Sequence, residues 1–120
     1  MSAPKRFLFL AAILALASAT AIAQDAKHEA QLRTVHGVVQ DKSDNLVSES
    51  VVFLKNTRTN VVRSSYTDNT GKYRFSGLDP NADYEIHAEK EGLQSVTRTV
   101  SSFESRKDIT LNLKIDKKKG

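Results

Sequence analysis

The chain has no cysteine and no tryptophan, only two prolines, and an aromatic content of 7%. Without cysteine there are no disulfide staples, so the fold must hold by packing alone and its folding is indifferent to redox state. The missing thiols also remove the strongest zinc ligands, and the absence of tryptophan removes the largest stacking surface. No N-x-S/T sequon occurs, so nothing points to N-glycosylation. Long apolar runs are scarce too. The one that stands out is Phe7 to Ala17, eleven residues, short for a membrane span and right for the core of an export signal.

That run follows Lys5 and Arg6 and precedes Ala21-Ile22-Ala23, an A-x-A cleavage pattern. We therefore expect residues 1–23 to be a signal peptide, with the mature chain starting at Gln24, secreted or periplasmic and without a membrane span once the signal is cleaved. Ninety-seven residues then remain, one domain's worth. Removing Lys5 and Arg6 takes the formal charge from +4 to +2, too weak a field for a nucleic-acid binder.

Residues 24–32 (QDAKHEAQL) are polar and read as a flexible leader. From Arg33 onward the chain is a series of short runs rich in Val, Thr, Tyr, Phe and Ile, broken every eight to twelve positions by turn residues. Seven strands are predicted: 33–40, 49–56, 60–67, 72–77, 83–91, 93–100 and 108–115. In the fifth, Tyr84, Ile86 and Ala88 alternate with Glu85, His87 and Glu89. In the last, Ile109, Leu111, Leu113 and Ile115 alternate with Thr110, Asn112 and Lys114. No stretch carries a helical period. The expected fold is all-β, a seven-stranded antiparallel Greek-key β-sandwich over 33–116, ending in a frayed basic tail at 117–120.

The stretch TDNTGKYRFSGL, Thr67 to Leu78, poses a question of chemistry. Asp68 and Asn69 suit a metal loop as well as a turn. Calcium needs six to eight oxygens, and no D-x-D-x-D-G pattern with a closing Glu is present. A phosphate loop needs several glycines and a helix start, whereas one glycine and a strand follow here. The turn reading gives every residue work: Asp68 bonds its own backbone, Gly71 takes positive φ, Tyr73 and Phe75 enter the core, and Leu78 after Gly77 covers its edge.

The pattern T-D-x-x-G-x-Y-x-F-x-G-L, followed by Tyr84-x-Ile86-x-Ala88 and Gly92-Leu93, resembles the carboxypeptidase regulatory-like domain family. Its members are transthyretin-like, or prealbumin-like, β-sandwiches, and the resemblance runs from about Thr34 to Ile115. Val35-His36-Gly37-Val38-Val39 fits the family's first strand. The resemblance extends to collagen-binding B-type repeats and starch-binding-like domains. It departs from the family at Asp44, Leu46 and Glu49, where relatives carry Gly and Pro, and at Asn81 and Ala82, where they carry Gly. The resemblance implies a non-catalytic accessory module without the peptidase domain it accompanies elsewhere. It also implies structural roles for Gly37, Asp68, Gly71, Tyr73, Phe75, Gly77, Leu78, Tyr84 and Gly92.

Candidate chemistry is sparse. The three histidines, His28, His36 and His87, have no ligand spacing, and no cofactor or metal is expected. No serine lies in G-x-S-x-G or S-x-x-K. The chain ends Lys-Lys-Lys-Gly, not in the Tyr-Arg-Gly-Ser signature of transthyretin-like hydroxyisourate hydrolases. An isopeptide of the B-type kind would join Lys55 to Asn112, but the acid it needs falls on Ala88. The expected function is a module for interaction with a protein or a cell-envelope component. Carbohydrate binding is the alternative. Tyr66 and Phe103 are the aromatics expected at the surface. Arg58, Arg63, Lys72 and Arg74 cluster around the third and fourth strands, where they either attract an anionic surface or solvate a sheet face and protect an edge. Tyr66, Phe103, Arg63 and Arg74 are the candidate ligand contacts.

Overall fold

The computed structural model describes residues 31–119. The predicted signal peptide, most of the leader and His28 lie outside them. Ten strands follow in order: β1 Arg33–Gln40, β2 Val51–Asn56, β3 Val62–Tyr66, β4 Lys72–Leu78, β5 Tyr84–Lys90, β6 Leu93–Gln94, β7 Arg98–Val100, β8 Asp108–Thr110, β9 Leu113–Lys114 and β10 Lys117–Lys118. They form two sheets. One runs β4-β1-β8, with β9 also on β1. The other runs β10-β6-β5-β2-β3, with β7 also on β5.

The alternation read in the sequence sets the core. Val35, Val39, Tyr73, Phe75, Ile109 and Leu113 from the first sheet meet Val52, Leu54, Tyr84, Ile86, Ala88 and Val100 from the second. Each large buried side chain contributes about 1.5–3 kcal/mol, and with no disulfide this packing is the main source of stability.

The sandwich is not antiparallel throughout: β8 and β9 run parallel to β1. The reason is parity. Seven runs joined by reversing loops send the first and the seventh in the same direction, and here those two are neighbours.

Two predicted runs are split. In the sixth, the register against β5 slips by one residue between Gln94 and Arg98. Buried Ser95 fills this bulge: its hydroxyl accepts the Ala88 N–H at 2.9 Å and donates to the Val96 carbonyl at 2.9 Å. In the seventh, the break falls at Leu111 and Asn112. The buried Tyr73 hydroxyl donates to the Leu111 carbonyl, and the Asn112 side chain accepts the Val38 N–H at 3.1 Å. Gly37 faces this break, where an added Cβ would lie 1.8 Å from the Leu111 carbonyl oxygen. The residue is glycine because two backbones meet there. The tail predicted to fray instead forms β10 on β6, and Lys119 N–H bonds the Gly92 carbonyl at 2.8 Å.

Candidate functional site

The Thr67–Leu78 stretch is a turn followed by β4, and the side chains of Thr67, Asp68 and Thr70 are bonded within the protein. Thr67 is buried; its hydroxyl donates to the Val47 carbonyl at 2.9 Å and accepts the Ser50 N–H at 3.0 Å. Asp68 Oδ1 accepts from Thr70 N–H (2.9 Å), Thr70 Oγ1 (2.8 Å) and Lys72 N–H (2.9 Å). These bonds, the Lys72 amide foremost, hold the Asp68 carboxyl below its ordinary pKa. Gly71, at φ +74°, sits against the backbone of Val47 and Val39. Tyr73, Phe75 and Leu78 are in the core. Gly77 lies in a bulge where two residues of β4 oppose one of β1. Tyr84 is buried, and its hydroxyl accepts the Asp79 N–H at 2.8 Å. Gly92 sits in the β5–β6 turn after Glu91.

A groove of about 690 Å³ opens beside this turn, on the outer face of the first sheet. The outward residues of β1, β4 and β8 make its floor: His36, Lys72, Arg74 and Thr110. Asn112 lines it as well, and Tyr66, 73% exposed, stands at its wall. Neither Lys72 nor Arg74 forms a salt bridge among the described residues, so both cations face the groove unneutralised by direct contact.

His36 Nε2 lies 2.9 Å from Asp108 Oδ1 and 3.4 Å from Thr110 Oγ1. The trio has the residue types of a nucleophile, a base and an orienting acid. The geometry is wrong for that work. Both contacts use the same ring nitrogen, whereas such a relay needs the acid on one nitrogen and the hydroxyl on the other. Among the described residues no group of three His, Cys, Asp or Glu side chains is placed to hold a metal.

The four candidate ligand contacts do not converge. Tyr66 and Arg74 share the groove. Arg63 turns away: its guanidinium lies 5.4 Å from the Phe75 ring centroid and donates to the Ser76 carbonyl at 3.0 Å. Phe103 is 95% exposed but lines a separate depression in the β7–β8 loop. There Arg106 bonds Glu104 at 3.0 Å and lowers that carboxyl to about 2. Lys55 and Asn112, weighed as an isopeptide pair, lie on different sheets: Lys55 lines a depression on the second with Phe53 and His87, and Asn112 borders β1.

Sequence reasoning missed His36, Thr110 and Asn112 as groove residues. Their outward phase was visible, but the strand order that gathers them was not. It also missed Arg33. This guanidinium is 3% exposed and forms no salt bridge among the described residues, although its charge contributes to lowering the Glu104 carboxyl. It donates instead to the carbonyls of Ser101 (2.7 Å), Ala82 (2.9 Å) and Asp79 (3.1 Å), while its Nε finds no partner. One side chain thus ties the loops after β4 and β7 to the start of β1.

Known proteins resemble the chain in sequence and in fold. It is 42% identical over 60 residues to serine-aspartate repeat-containing protein I of Staphylococcus saprophyticus, covering 49% of this chain and 3% of that one. It is 34% identical over 70 residues to serine-aspartate repeat-containing protein F of Staphylococcus epidermidis, covering 58% and 4%. The chain therefore spans a few per cent of the length of these relatives. Its fold is similar to catechol 1,2-dioxygenase from Acinetobacter sp. ADP1, at a TM-score of 0.55 and 12% identity over 72% of this chain and 52% of that one. The dioxygenase domain of a carbohydrate-binding fusion from Streptomyces sp. SirexAA-E gives a TM-score of 0.51 and 13% identity, over 72% and 80%. At such identities the likeness is one of sandwich architecture alone. Residues 34–115, from the first strand to the last core isoleucine, match the carboxypeptidase regulatory-like domain, and the chain belongs to that family.

Proposed function

We propose that this chain is a non-catalytic interaction module, secreted or periplasmic, that binds a protein or a component of the cell envelope. The observation that carries the reading is the groove beside Tyr66. It offers two cations, Lys72 and Arg74, that form no salt bridge among the described residues, with the Asp68 carboxylate beside Lys72 and the exposed Tyr66 at its wall. Such a surface suits an anionic or polar ligand held by charge and stacking. Family membership and the single-nitrogen contacts of His36 favour binding over catalysis. The export-type N-terminus supports the location.

Carbohydrate is the second reading, favoured by the 73% exposure of Tyr66. The separate position of Phe103 takes away the two-ring platform that would strengthen it. A screen against glycans and envelope polymers tests both readings. Binding that weakens at least tenfold in Arg74→Ala and falls with added salt supports a charged envelope ligand. Glycan binding lost in Tyr66→Ala, and insensitive to salt, supports carbohydrate. If no polymer binds and cross-linking in the native envelope captures no protein, the proposal fails.

A further inference from the structure

Every open sheet edge is a row of unpaired backbone groups, and proteins guard such edges or use them. Four of the edge strands here, β7, β8, β9 and β10, are only two or three residues long, which is itself a guard. The longer edges are β3 and β4.

The edge of β4 is capped. Val39 N–H bonds the Gly71 carbonyl, so in this register Lys72, Arg74 and Ser76 direct their backbone groups outward. Asp68 takes both groups of Lys72: Oδ1 accepts the Lys72 N–H, and the Asp68 N–H donates to the Lys72 carbonyl at 3.0 Å. Arg63 takes the Ser76 carbonyl at 3.0 Å. A short central stretch remains.

The edge of β3 carries no such caps. Asn56 N–H bonds the Val61 carbonyl and Thr67 N–H bonds the Ser50 carbonyl, so residues 61, 63, 65 and 67 face β2. Val62, Ser64 and Tyr66 then direct three N–H and three C=O groups outward. Among the described residues the one contact to any of them is a 3.4 Å approach of Ser65 Oγ to the Tyr66 carbonyl. Val62 and Tyr66 are 56% and 73% exposed.

We infer that β3 pairs antiparallel with β3 of a second copy of this chain, about a two-fold axis at Ser64. The outward residues are centred on Ser64, so one register satisfies all of them at once. Tyr66 then faces Val62 of the other copy, an aromatic on a β-branched side chain, which is a favourable cross-strand pair. Arg63 faces Ser65, so no like charges meet. Beyond the strand, Asn60 faces Asp68. The two second sheets join edge to edge. This inference does not depend on the groove's ligand, and its test leaves the groove residues intact.

The test is sedimentation velocity on protein expressed from the full-length sequence. The edge is short, so pairing is concentration-dependent, and the mass is expected to double between about 10 µM and about 1 mM. Ser64→Lys sets like charges opposite each other at the axis and is expected to weaken the dimer at least tenfold. Its N–H points away from β2 and its exposed side chain stands on the sheet face beside Phe53, outside the core, so circular dichroism should report an intact fold. Ser64→Cys gives a covalent check, because the chain has no other cysteine. Paired residues at such a position lie about 5.5 Å apart at Cα, within disulfide reach. With oxidised glutathione it is expected to yield a covalent dimer faster than Ser76→Cys on the capped edge. A monomer at every concentration overturns the inference. Self-association unchanged in Ser64→Lys, or equal cross-linking of the two cysteine variants, overturns it as well.

Discussion

Arg33 carries the sharpest test of how this sandwich is held together. Replacing it with methionine keeps the apolar stem and deletes the guanidinium. Two effects then compete. The desolvation penalty of a buried charge disappears, which stabilises, and in some proteins exchanging whole buried ionic networks for apolar residues raises stability. Here only one side of the network is removed. The carbonyls of Asp79, Ala82 and Ser101 stay where they are and lose their donor. Stranding a buried acceptor costs about 1–3 kcal/mol, and three acceptors lose their donor at once. The second effect should win. For a domain of this size 1 kcal/mol moves the melting temperature by about 4–8 °C, so Arg33→Met should lower it by at least about 12 °C. Arg33→Lys should fall between. An ammonium keeps the charge but lacks the planar fork that reaches three carbonyls in different directions. Thermal unfolding followed by circular dichroism decides the matter. A methionine variant as stable as the parent would show that the guanidinium's desolvation cancels its bonds, and the reading of Arg33 as a tie between loops would fall.

Two further substitutions test the break in the seventh strand. Propensity alone says that Gly37→Ala stabilises a strand by about 0.5–1 kcal/mol. The structure reverses the sign, because the new Cβ lies 1.8 Å from a backbone oxygen that no rotamer can move. Overpacking of this kind costs about 1–3 kcal/mol or more, so a melting point lowered by at least about 5 °C is expected, and an unchanged one would refute the close approach. Tyr73→Phe should cost about 1–3 kcal/mol, because the Leu111 carbonyl loses its donor. It should also alter the alkaline limb. Burial raises the Tyr73 pKa above its ordinary value, so the stability tied to its neutral form is whole below about pH 10 and drains away as pH rises beyond that. Between about pH 9 and 11 the parent should lose more stability than the phenylalanine variant. Equal losses in both proteins would remove Tyr73 as the group responsible.

The parts of the fold legible in the sequence were those set by neighbours along the chain. The period-two alternation of Tyr84, Ile86 and Ala88 put all three inside. Asp68 announced its turn because its carboxylate bonds backbone within a few residues, and Gly71 because its positive φ is a local need, although the backbone it lies against, Val39 and Val47, is distant. What escaped was set by distant partners. Ile109 to Ile115 alternates without interruption, and nothing local shows that a tyrosine on β4 will draw the Leu111 carbonyl out of the ladder. The strand 93–100 gives no local sign of its bulge, because the bulge answers a register on β5. Arg33 reads as the first polar residue of a strand; its three acceptors lie 46 to 68 positions away. The groove is nonlocal for the same reason. Lys72 and Arg74 share a face by alternation, but His36 and Thr110 join them only through the order β4-β1-β8.

The turn that most strongly marks the family also explains why the two long edges differ. Asp68 closes its turn by bonding Lys72 on both backbone groups, and Lys72 is the first outward residue of the β4 edge. The same carboxylate that shapes the turn therefore blunts the edge beside it. Arg63 completes the guard by reaching the Ser76 carbonyl, and in doing so it lends β3's inward face to the protection of β4. Nothing reciprocates. No side chain of β4 reaches back to the outward groups of Val62 or Ser64 among the described residues. A sandwich whose signature turn seals one edge and leaves its neighbour open has a built-in polarity, and a strand added on that side finds β3 before it finds β4.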